Sequence, residues 1–115
     1  MTAEFEETRM FEVNGDIDLF DTCEKVAKES GFNIKTRDKE KGLILARTNL
    51  NWKSWTETVK ITVRDSGNVT VKSTCTFPMQ MIDWGKNAAN VNLFFTNLLS
   101  NVAEVNGKKT VPNKT

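Results

Sequence analysis

Histidine is absent from the 115 residues, which excludes imidazole acid/base chemistry and every zinc or haem site that needs an imidazole ligand. Only two cysteines are present, too few to hold zinc by themselves. No apolar run approaches the roughly 20 residues of a membrane span. The opening Met-Thr-Ala-Glu-Phe-Glu-Glu is acidic where a secretory leader would be basic and then apolar. A cytoplasmic chain without a membrane span is therefore expected. A dominant charge is lacking too: 16 Lys and Arg against 15 Asp and Glu leave a net charge of +1, with no bulk attraction to nucleic acid or an anionic membrane. Binding of either kind would need a local patch. No cofactor and no metal is implied.

The composition, 38% hydrophobic and 27% charged, is that of an ordinary small globular domain. A chain of this size buries about 60–70% of its unfolded surface, enough for one core without metal or disulfide staples. One domain over residues 1–115 is expected, with 1–8 and 106–115 flexible. The first ten residues are charged and show no clear period. Met10-Phe11-Glu12-Val13 then alternates as a short first strand. Asn14-Gly15 is a turn, and Asp16 caps a helix running through Ser30, with Gly31 as its stop. Ile17, Phe20, Cys23, Val26 and Ala27 form the apolar stripe of that helix.

Phe32, Ile34 and Thr36 alternate with Asn33, Lys35 and Arg37 in a second strand, and Asp38 to Gly42 reads as a hairpin turn. Leu43 to Thr48 is a third strand of ambiguous register, because Leu43, Ile44 and Leu45 are consecutive. Val59, Ile61 and Val63 alternate with Thr58, Lys60, Thr62 and Arg64 in a fourth. Val69, Val71, Ser73 and Cys75 alternate with Thr70, Lys72, Thr74 and Thr76 in a fifth. A loop containing Pro78 leads to Asp83, the expected cap of a long helix with Trp84, Ala88, Val91, Phe95, Leu98, Val102 and Val105 on one side. The order is β-α-β-β-β-β-α, an α+β fold. Short turns between strands two to five imply an antiparallel meander, and a right-handed crossover sends strand one to the far edge, beside strand five. The result is a five-stranded, mainly antiparallel sheet of order 1-5-4-3-2 with two helices on one face. This order resembles the topology of a TATA-binding-protein-like half-fold, which implies nothing about function.

The segment Val69, Val71 and Ser73, then Asp83, Gly85 and Asn87, followed by Val91, Phe94 and Leu98, resembles an uncharacterised bacterial domain family of the DUF1499 kind. The resemblance covers the C-terminal half, and this chain has Cys75-Thr76-Phe77 where that family often carries Arg. It implies no established reaction. In physical terms, Asp83 caps the helix, Gly85 permits close backbone approach and Asn87 bonds back to the loop. The alternative is an anion site at the helix start with Lys86, against which Asp83 would act.

Two surfaces stand out. Lys35, Arg37, Lys60, Arg64 and Lys72 are expected among threonines on the uncovered sheet face, a basic surface suited to phosphate or to simple solvation. It lacks the interleaved aromatics that stack bases. Trp52, Trp55, Met79 and Met81, near Trp84 and Lys86, either anchor a protein interface or close the end of the core. Cys23 and Cys75 read as buried thiols. No nucleophile-base pair or carboxylate dyad is evident, Ser73 having no positioned base. The expected function is a non-enzymatic binding or interaction module, docking a protein partner at the Trp/Met end or self-associating through a sheet edge. One alternative is a small-ligand or lipid-binding pocket between the long helix and the sheet, lined by Phe94, Phe95, Met81 and Trp84. Another is weak nucleic-acid binding by the basic face.

Overall fold

The computed structural model describes residues 2–12, 18–48, 57–76 and 84–106. Five strands, β1 (Thr2–Met10), β2 (Asn33–Asp38), β3 (Leu43–Arg47), β4 (Glu57–Val63) and β5 (Asn68–Thr76), form one sheet. Two helices accompany them, α1 (Leu19–Glu29) after β1 and α2 (Trp84–Asn106) after β5. The sheet order is β1-β5-β4-β3-β2 and every pairing is antiparallel, so the α+β fold and the strand order read from the sequence are both present. Both helices pack on one face, α2 over β1 and β5 and α1 over β2 and β4. Among the described residues no helix is long and apolar enough to cross a membrane.

The first strand is not where alternation at Met10–Val13 places it. β1 occupies Thr2–Met10 and pairs residue for residue with β5, from Thr2 opposite Thr76 to Met10 opposite Asn68. Residues 2–8, expected to be flexible, are therefore strand. The hydrophobic signal is missing because β1 is an edge strand: its helix-side positions Phe5, Glu7 and Arg9 are only partly covered and tolerate charge. Phe11, immediately after β1, is 3% exposed and stacks on Phe95 at a centroid distance of 6.1 Å.

The cap of α1 is Asp18 rather than Asp16: its carboxylate accepts from the Asp21 N–H at 3.1 Å. Asp16 and Ile17 lie outside the described residues. The stripe Phe20, Cys23, Val26 and Ala27 is buried as its spacing requires. The helix ends in a Schellman turn, with Phe32 N–H donating to the Ala27 carbonyl at 2.9 Å and Gly31 N–H to that of Lys28 at 3.0 Å. Gly31 supplies the positive φ, 87°, that this turn needs.

β3 resolves its ambiguity by burying Ile44 and Ala46 under the helices and leaving Leu43 and Leu45 half-buried on the other face. They sit opposite Thr62 and Lys60 of β4. The core on the helix side gathers Ile44, Val59, Ile61, Val69 and Val71 beneath Val26, Phe94, Phe95 and Leu98. Phe94 stacks on Phe32 at 6.4 Å and meets Phe95 edge-on at 5.8 Å.

Candidate functional site

On the uncovered face, register sets Glu6, Lys72, Lys60 and Leu45 in one row and Thr8, Thr70, Thr62 and Leu43 in the next. A shallow depression of about 390 Å³ lies there, lined by Glu6, Thr8, Lys60, Thr62, Arg64 and Lys72 among others. Three of the five expected basic residues, Lys60, Arg64 and Lys72, are thus brought together. β1 adds acid to this surface: Glu4 pairs with Lys72 at 3.6 Å, and Glu6 stands directly opposite Lys72. The face is of mixed charge rather than basic.

Arg37 does not join it. Between Ile34 and Thr36 the β2 register shifts, and this bulge at Lys35 turns every later side chain to the opposite face. Arg37 consequently lies opposite Ile44 on the helix side, with its Nε donating to Glu24 at 2.8 Å, an Asp21 oxygen at 3.5 Å, and its guanidinium 5.1 Å from the Phe20 ring centroid. Lys35 is exposed at the bulge. Of the aromatic and methionine candidates, Trp52, Trp55, Met79 and Met81 lie outside the described residues. So do the side chains of Trp84 and Lys86, whose backbone opens α2. Phe94 and Phe95, named as pocket-lining residues, are both 0% exposed and engaged in the aromatic packing of the core.

A buried polar cluster escaped the sequence reading. Glu57 is 1% exposed and Ser73 0% exposed at one end of the sheet beneath α2. A Glu57 carboxylate oxygen accepts from the Thr48 hydroxyl at 2.5 Å and from the Asn90 amide at 3.2 Å, and that amide also donates to the Ser73 hydroxyl at 3.2 Å. The signal was present: Glu57 shares the parity of Val59 and Ile61, so it had to face the core with them. Two neutral donors, Thr48 just after β3 and Asn90 on α2, satisfy the carboxylate, and the bond from Asn90 to Ser73 ties β4, β5 and α2 together. The thiol of Cys23 is free, and burial holds it well above its ordinary pKa, leaving it protonated and unreactive.

The edge at β1 is the remaining surface with chemistry to offer. Phe11 N–H donates to the Gly67 carbonyl at 2.9 Å, toward β5. By strand alternation Phe5, Glu7 and Arg9 bond inward likewise, while Glu4, Glu6, Thr8 and Met10 direct N–H and C=O groups outward, where none of the described strands lies. Two of the three exposed large apolar residues found among the described ones, Phe5 at 37% and Met10 at 58%, belong to this strand. Arg9 Nε bonds Glu7 at 2.7 Å along the strand, and the Arg9 guanidinium lies 4.6 Å from the Phe95 ring centroid. No family model and no curated protein matches this chain.

Proposed function

We propose that the chain is a non-enzymatic binding module that engages its partner by strand addition at the β1 edge. The observation that carries this reading is the edge itself: nine residues pair with β5 in unbroken register, without proline or bulge, and their outer backbone groups face no other strand among the described residues. Such an edge is a template for another strand, with main-chain bonds giving affinity and alternate side chains giving selectivity. The opposite edge is a poorer template. β2 is six residues long and carries the Lys35 bulge, which bends the strand. Nucleic-acid binding by the open face is less favoured, since Glu4 and Glu6 oppose the lysines that would contact phosphate.

Peptides selected from a random library on the immobilised domain test the reading. Bound peptides are expected to slow amide exchange at Glu6, Thr8 and Met10, whose N–H groups face outward. A library without binders, or binders that leave those three amides exchanging rapidly, would overturn it.

A further inference from the structure

We infer that the partner fitting this edge is a second copy of the chain, paired antiparallel along β1 about a two-fold axis through Thr8. The inference rests on the strand-addition reading and adds the occupant and the register. Because outward backbone groups alternate with inward ones, residues can face only others of the same parity across the new seam. A two-fold axis must therefore pass through a residue, and the charges along β1 select which one.

An axis at Phe5 sets Glu4 against the partner's Glu6. Axes at Glu4, Glu6, Glu7 or Arg9 each set a charged residue against its own copy, and axes at Thr2, Ala3 or Met10 leave at most three residues of β1 paired. Like charges directly opposite are destabilising in an antiparallel pair. With the axis at Thr8, the pairing over Glu6–Met10 places Glu7 opposite the partner's Arg9, Arg9 opposite the partner's Glu7, and the threonines opposite each other. Met10, exposed on the uncovered face, lies against the partner's Glu6. The Glu7–Arg9 ion pair within one strand is 2.7 Å long with both side chains partly exposed, so each group can exchange that contact for one across the seam. The central Thr8 belongs to the outward-bonding set, so it and the partner's Thr8 exchange two main-chain hydrogen bonds on the axis. The product is one continuous ten-stranded sheet. Because α2 lies over β1 in each copy, the two α2 helices flank the seam on one side.

Charge exchange tests both the occupant and the register. In light scattering coupled to size exclusion, the wild-type chain is expected to form a dimer as its concentration rises. Glu7→Arg and Arg9→Glu should each raise the dimer dissociation constant about tenfold or more, because each places two like-charge contacts at the seam. Mixing the two variants in equal amounts should restore a dimer, since both contacts then join opposite charges, and the double swap within one chain should restore the homodimer. Thermal melts identify any variant that has lost its fold, and the double swap serves as a second variant. A wild-type monomer at every concentration, single variants that dimerise like wild type, or a mixture that stays monomeric would each overturn the inference. A monomer that still binds library peptides along β1 removes the second copy and leaves strand addition standing, whereas peptides that leave β1 unprotected remove both.

Discussion

Glu57 is held by Thr48 and Asn90, and Asn90 also holds Ser73, so removing the carboxylate strands the buried Thr48 hydroxyl and deprives the half-buried Asn90 amide of a partner. Glu57→Ala is expected to cost about 1–3 kcal/mol, the penalty for leaving buried partners unsatisfied, while Glu57→Gln keeps an acceptor and should cost less. Urea unfolding of both variants checks this, and an alanine variant as stable as wild type would remove the cluster from the stability account. At the opposite end, Asp18 caps α1, and its carboxyl is held below its ordinary pKa, first by hydrogen bonding to Lys39 and then by the Asp21 N–H. A depressed pKa contributes stability above the unfolded value of about 3.9, and that contribution is lost as pH falls through the lower folded value. Asp18→Asn still caps but does not titrate. Its melting temperature should consequently fall less steeply than that of wild type between pH 5 and pH 2. Arg37 shows where single residues defeat pattern reading: its face depends on a bulge at Lys35 that strict alternation does not announce.

At the scale of elements, turns were legible because their glycines are required. Gly42, at φ 67°, lies so close to β4 that a Cβ there would meet the Val63 carbonyl oxygen at 2.2 Å. Its own carbonyl accepts from the Val63 N–H at 2.8 Å. Gly42→Ala is therefore expected to destabilise by about 1–3 kcal/mol through combined backbone strain and displacement of β4. Denaturant midpoints measure the effect, and a neutral variant would show that the hairpin shifts freely. β1 was illegible for the opposite reason. Its partner β5 lies across the chain, and its residues carry charge on both faces, so neither a local turn nor a hydrophobic period marks it. The buried strands β4 and β5 alternate cleanly because one of their faces meets a helix-lined core.

For the whole molecule, short connections and the handedness of crossovers are enough to give the sheet order, although alternation alone sets the first strand several residues too late. The candidate surface was less legible, because it depends on which strand lies at the edge and which of its backbone groups point outward. Proline reads that polarity directly. Thr8→Pro removes an outward N–H and should leave the ladder to β5 intact, whereas Glu7→Pro removes an inward donor. The Glu7 variant is expected to be the less stable of the two by about 1 kcal/mol or more in thermal or urea unfolding. Equal losses would contradict the assigned polarity of β1.

The pairing of Thr2 with Thr76 and of Met10 with Asn68 also orders events during synthesis. Of the five described strands β1 is made first, and its neighbour among them, β5, is made last. At ordinary elongation rates it waits on the order of 3 to 12 s for β5. Throughout that interval both of its edges are open rather than one. On a polysome, where nascent copies of one chain are held close together, the strand that β5 later covers is thus, of these five, the earliest able to meet its counterpart on a neighbouring ribosome.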